Sequence, residues 1–264
     1  MFARPHRFQS VRRTMLSGWS VFAASAAALA VFATILANPA SDAVATTPAT
    51  TPAEQPPAPP ADTIQQPEKL FARPHTTEAD TTMLFWTGKV VPTMAQQIWQ
   101  AFEAHKATTR RFVLVLNSGG GLVQEGERVI AVMRGIRVTH RLDTEVRNGQ
   151  MCGSMCVFIY LQGQSRTAGP SSAWLFHEIT RPDPIDKQRL IVDRAASERL
   201  LIKYYPEAGV SLSWTDQMRP KTVNADYWQT GLELMQSHTG IVKGLLPNTQ
   251  PRILGPAKPA MAAN

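Results

Sequence analysis

Arg111-Phe112-Val113-Leu114-Val115-Leu116-Asn117 is nearly all apolar after its first residue and runs straight into Ser118-Gly119-Gly120-Gly121. A short unbroken apolar run that ends in a glycine turn predicts a strand covered on both faces, as in a sheet with parallel neighbours. The flanking segments agree. Thr82–Thr87 is β-prone and closed by Gly88, and from Pro92 to Lys106 the residues Met94, Ile98, Trp99 and Phe102 recur at helical spacing. Leu122 to Met133 predicts the next helix, through Leu122, Gly126, Val129, Ile130 and Met133, with Gly135 as its stop. Ile136-Arg137-Val138-Thr139-His140 then begins another strand. Strand–helix–strand–helix–strand implies right-handed crossovers, so the expected class is α/β, with a largely parallel sheet and flanking helices.

Further along, Cys156–Leu161 reads either as a strand or as a buried helix starting near Gly153, and its apolar run alone does not decide. Trp174-Leu175-Phe176 predicts a short strand that delivers His177. Ile185 to Tyr205 predicts a long helix with a broad apolar face, leaving at Pro206 and Gly209.

The ends are different in kind. Residues 1–14 hold four arginines and no acid, and residues 15–37 carry no charge. At about 1.5 Å per residue the latter span roughly 35 Å as a helix, so they are expected to be a signal peptide or a transmembrane anchor. Ala43-Val44-Ala45 has the small-residue character of a cleavage site, which leaves signal peptide and anchor both open. Either places the rest of the chain in the periplasm or facing it from the inner membrane. Residues 38–79 are expected to be a Pro/Ala/Thr-rich linker, 80–246 the folded domain and 247–264 a disordered tail. The net charge of +7 loses its four N-terminal arginines to leave +3, and no arginine-rich helix with interleaved aromatics follows, so nucleic acid is not an expected partner.

The chemistry-bearing stretch is Asn148-Gly149-Gln150-Met151-Cys152-Gly153-Ser154-Met155-Cys156. A serine there, backbone N–H donors in the Ser118–Gly121 turn, and a histidine at 177 together suit acyl transfer. Each piece has a plainer reading. Ser154 alone is a helix cap, His177 a half-buried structural histidine paired with Glu178, and the glycines a tight turn or a phosphate or acyl cradle.

These pieces, in this order, resemble the proteolytic subunit of the Clp protease, within the wider crotonase-like superfamily. The resemblance runs from Leu84-Phe85-Trp86-Thr87-Gly88-Lys89-Val90 through Asn117-Ser118-Gly119-Gly120-Gly121, Gly149-Gln150, Ser154-Met155 and Phe176-His177 to Asp226-Tyr227-Trp228, about residues 82–236. It implies Ser154 as nucleophile, His177 as general base, Asp226 as the orienting carboxylate, and the N–H groups of Gly120 and Met155 as oxyanion donors. Asp216, ten residues before Asp226, competes for the orienting role. Three departures stand out: an extra residue before Ser154, Gly119 where the family has proline, and a long polar segment from His140 to Asn148.

Cys152 and Cys156 flank Ser154, and in an oxidising compartment they are expected to form a disulfide that pins its turn. The expected function is a serine hydrolase, a peptidase acting on an extended peptide or protein substrate. The alternative is an inactive peptide-binding or scaffolding module on the same fold, and an acyl-coenzyme A enzyme is disfavoured by the compartment. No cofactor, metal or ATPase partner is expected. The resemblance implies closed rings that pair through the region of the helix from Ile185 to Tyr205; the charged face of that helix reads as solvated, so the expectation is a small homo-oligomer, dimer to hexamer, rather than a double ring.

Overall fold

The computed structural model describes residues 69–247. The basic stretch 1–14, the apolar stretch 15–37, most of the linker and the tail from 248 lie outside the described residues. The expectation of a transmembrane, membrane-attached chain is corrected here. Among the described residues no helix is long and apolar enough to cross a membrane, and the stretch 15–37 on which that expectation rested lies outside them.

The chain order is β1 (Lys69–Pro74), β2 (Thr81–Thr87), α1 (Met94–His105), β3 (Arg111–Asn117), α2 (Val123–Ile136), β4 (Arg141–Val146), β5 (Met151–Gly153), α3 (Met155–Tyr160) and β6 (Arg166–Ala168). It continues with β7 (Ala173–Phe176), β8 (Thr180–Pro182), β9 (Leu190–Val192), α4 (Arg194–Ala208), α5 (Leu212–Met218), β10 (Tyr227–Thr230), α6 (Gly231–Gln236) and β11 (Gly244–Leu245). A six-stranded sheet has the order β1-β2-β3-β4-β6-β11. Every pairing in it is parallel except the antiparallel edge pair of β1 and β2. A second, mixed sheet is ordered β10-β7-β5, and β8 and β9 form an antiparallel pair.

The alternation of β3 builds the core. Phe112, Leu114 and Leu116 point to one face with Leu84 and Trp86 of β2, and pack with Ile98 and Phe102 of α1 and with Val129, Ile130 and Met133 of α2. Val113 and Val115 point the other way and join Met83 in a smaller cluster. Both faces are covered, as the apolar run predicts.

The structure corrects four local expectations. β1 falls inside the stretch read as linker 38–79, and it is fixed by pairing along its whole length with β2. The second helix does not stop at Gly135 but carries on to Ile136, because Met133 and Ile136 are buried on its core side while Gly135 faces solvent, where its cost is small, about 1 kcal/mol. The strand begins at Arg141 rather than Ile136, since turn bonds from Arg137, Val138, Thr139 and His140 back to residues 133–136 occupy those donors. Its polar sequence hides it: the buried Asp143 is paired with Arg111 at 2.7 Å and Arg141 at 2.9 Å.

The fourth correction concerns Ile185–Tyr205. Its first part is the turn and second strand of the β8–β9 hairpin, and only α4 is helical. Asp183 Oδ1 accepts the Ile185 N–H at 2.8 Å and Asp186 Oδ1 accepts the Gln188 N–H at 3.0 Å, so these carboxylates make local turns that compete with a helix. Ile185 is 96% exposed, so it belongs to no core-facing stripe. The helix starts where Asp193 caps it, accepting the Ala196 N–H at 2.9 Å.

Candidate active site

Ser154 stands between the last residue of β5 and the first of α3, at φ 52°, ψ −123°. That is backbone space that L-residues rarely occupy, and holding a serine there costs of order 1–3 kcal/mol. The surroundings over-determine it. The Ser154 N–H donates to the Leu175 carbonyl at 2.9 Å, the Gly153 N–H to the Ser118 carbonyl at 2.9 Å, and the Val157 N–H to the Ser154 carbonyl at 3.0 Å. Cys152 and Cys156 are joined by a disulfide with their Cα atoms 5.3 Å apart, so a covalent bridge spans the turn. The ambiguous run after it is helical, as α3.

The glycine turn lies directly against this serine. A Cβ placed on Gly120 would stand 2.7 Å from Ser154 Cβ, 2.7 Å from the Gly153 carbonyl oxygen and 3.1 Å from the Met155 nitrogen, and Gly120 has φ +99°. Gly120 and Met155, the two expected oxyanion donors, are therefore neighbours across Ser154. The Met155 N–H belongs to the first turn of α3 and has no intrahelical acceptor. The Gly120 N–H donates to Ser118 Oγ at 3.2 Å, an engagement the sequence reading did not include. Asn117 anchors the strand end by accepting the Met151 N–H on Oδ1 at 3.1 Å. Gly120→Ala is expected to lower stability by about 1–3 kcal/mol through its φ alone. It is also expected to slow any reaction at Ser154 at least tenfold by shifting the donors. Thermal melts and labelling rates on the same preparation check both.

Ser154 and His177 line one cavity of about 290 Å³, floored by apolar side chains that include Val157, Phe158, Ile179, Leu201 and Met218. Tyr205 lines it too; burial pushes its phenol well above the ordinary range, so it is present as a neutral group. Two ion pairs stand at the cavity, Arg194 with Glu178 at 3.2 Å and Arg219 with Glu198 at 3.0 Å.

His177 follows β7 directly, as expected. Its Nδ1 lies 2.6 Å from the Glu178 carbonyl oxygen, a hydrogen bond in which Nδ1–H is the donor. No hydrogen bond among the described residues joins Ser154 Oγ to His177. Asp226 lines a second cavity of about 390 Å³ that also contains His177 and Glu178. Asp216 sits in α5, exposed and away from both cavities. The site thus gathers Ser154, His177, Gly120 and Met155, and Asp226 shares the second cavity with His177. The sequence assigns no part to the Ser118 side chain, because a hydroxyl two residues from a glycine carries no distinctive signal, and gives Glu178 only the plainer reading of a partner to a structural His177.

In solved structures the chain is similar to the ClpP protease catalytic domain from Plasmodium falciparum, at 18% identity over 66% of this chain and 88% of that one, with a TM-score of 0.48. It is also similar to a ClpP1 variant from Listeria monocytogenes, at 18% identity over 64% and 92%, with a TM-score of 0.47. No protein-family model and no curated protein matches the sequence. Likeness at this level assigns neither a family nor an activity, and what the site does rests on its own geometry.

Proposed function

We propose that the domain is a serine hydrolase, a peptidase that works through an acyl-enzyme on Ser154. The observation that carries this reading is the strained serine. A non-glycine residue is held at φ 52° in a strand-to-helix turn, beside a glycine and a free first-turn N–H, at a cavity it shares with a histidine. In this proposal His177 Nε2 takes the hydroxyl proton as Ser154 Oγ attacks the acyl carbon. The Met155 N–H stabilises the oxyanion, and the Gly120 N–H exchanges Ser118 Oγ for it. Asp226 is proposed to stabilise the imidazolium from the adjoining cavity. The substrate is an extended peptide or protein segment, the protein works as a small homo-oligomer, and its proposed location is an oxidising compartment such as the bacterial periplasm, a reading the disulfide supports.

A second reading has an observation in its favour. Ser154 Oγ and His177 are not hydrogen-bonded, and the Gly120 N–H already has an acceptor in Ser118. Both would suit a module that holds a peptide without cutting it. Reaction of the oxidised protein with a fluorophosphonate separates the two. The hydrolase reading expects one adduct per chain, mapped to the peptide containing Ser154, with labelling lost in Ser154→Ala. A folded, oxidised protein that neither labels nor cleaves an unstructured peptide library is the peptide-binding module.

A further inference from the structure

We infer that Glu178 is the positioning residue of the imidazole, through its main-chain carbonyl and through the carboxylate that holds that carbonyl in place. This rests on the proposed role of His177 as the base, and it adds a group outside the Ser154–His177–Asp226 set. The Nδ1–H of His177 donates to the Glu178 carbonyl oxygen at 2.6 Å. A neutral imidazole carries one ring proton, so fixing it on Nδ1 leaves Nε2 as the acceptor that a base toward Ser154 requires.

A backbone carbonyl orients a ring only as well as its own peptide plane is held, and the Glu178 side chain supplies that hold from two sides. The Arg194 Nε–H donates to Oε1 at 3.2 Å, which ties the residue to the first turn of α4. The Asn224 N–H donates to Oε2 at 3.1 Å, which ties it to the loop that leads to Asp226. The Glu178 side chain is only 13% exposed, whereas Arg194 is 71% exposed, so the carboxylate is the better-shielded partner. Next in the chain, the Ile179 N–H donates to Ser197 Oγ at 2.7 Å, a second link to α4. The chain immediately after the histidine is thus bonded on three sides before the exposed β8–β9 hairpin begins. Asn224 itself sits at φ 53°, so the loop carrying Asp226 makes its turn at the residue that Glu178 grips.

Losing the carboxylate frees the 178 peptide plane and the 224 loop together. A misplacement of about 1 Å at a catalytic group is enough to cost on the order of 100-fold. The test uses Glu178→Ala and Glu178→Gln in the full oxidised chain, with inactivation by a fluorophosphonate resolved into a maximal rate and an apparent affinity. Glu178→Ala is expected to lower the maximal rate by roughly 30-fold while the affinity stays within about threefold. Glu178→Gln keeps an oxygen for the Asn224 N–H and is expected to recover most of that rate. Independently of any reactivity, nitrogen-15 NMR of His177 is expected to show the Nδ1-protonated tautomer in the wild-type chain and a mixture of tautomers in Glu178→Ala. A wild-type imidazole protonated on Nε2 overturns the inference, as does a Glu178→Ala chain with an unchanged tautomer and rate. If the wild-type chain does not label at all, the hydrolase reading fails, and the tautomer measurement still decides the role of Glu178.

Discussion

Ser154→Gly is expected to abolish fluorophosphonate labelling and, in the same protein, to raise stability by about 1 kcal/mol. The two effects come from one feature. At φ 52°, ψ −123° a serine carries a backbone cost of order 1–3 kcal/mol that glycine does not. Glycine gives back part of that gain, about 0.5–1 kcal/mol, through its greater freedom in the unfolded chain. The net gain should appear as a rise of about 2–4 °C in the thermal midpoint for a domain of this size. Ser154→Ala is the control. It removes the nucleophile but keeps a Cβ in the same backbone space, so it should be unreactive without the gain. A glycine variant no more stable than the alanine one would show that the backbone at 154 carries no such cost. A gain confined to glycine says that the chain maintains the strain for the side chain it presents.

The sheet was legible in the sequence wherever burial alone dictated the residue types. β3 matches the apolar run Arg111–Asn117 residue for residue, and β2, α1 and β7 fall within two residues of their expected ends. Legibility failed where polar side chains do the folding. β4 looks like a loop because Asp143 is buried against two arginines that lie on β3 and on β4 itself, and a pair formed across strands leaves no local pattern. The hairpin before α4 looks helical because Ile185, Leu190 and Ile191 read as one broad apolar face with Leu200, Leu201 and Tyr204 of the helix that follows, while the Asp183 and Asp186 turns that undo it are short-range competitions such a pattern does not see.

The site divides the same way. His177 and the glycine turn were readable because each sits at the end of a strand whose position the apolar pattern gives, and Ser154 because it stands just before the apolar run that forms α3; the short β5 that leads into it had no such pattern. The positive φ of Ser154 was not, since a glycine would ordinarily announce such a backbone and here it sits one residue earlier, at Gly153. Glu178 was visible only as a neighbour able to pair with the histidine by charge. Its contribution runs through a main-chain oxygen and through a loop 46 residues further along, neither of which has a sequence signature.

Removing the disulfide, in the double variant Cys152→Ala, Cys156→Ala, is expected to cost both stability and nearly all reactivity. The bridge closes a loop of few residues, and chain entropy alone assigns such a loop roughly 2 kcal/mol, with further loss from the two buried sites left underfilled. The effect on Ser154 should be larger in proportion. A strained residue keeps its conformation only while its surroundings insist on it. Among those surroundings the bridge is a covalent tie between β5 and α3 in addition to the main chain, whereas the contacts named above are individual hydrogen bonds. Labelling is therefore expected to fall by about 100-fold in a chain that still folds. Both cysteines are fully buried, so the folded protein should resist a thiol reductant, and the informative experiment is refolding. Chain refolded with the thiols reduced is expected to be folded but unreactive. Reactivity should then return as an added disulfide oxidant, such as oxidised glutathione, takes two electrons and two protons from the pair and leaves as two reduced glutathione molecules. Equal labelling of the reduced and oxidised folded chains would make the bridge a staple of the fold alone. Labelling that follows oxidation makes it the condition under which Ser154 becomes a nucleophile, and confines that reactivity to a compartment where the bridge can form.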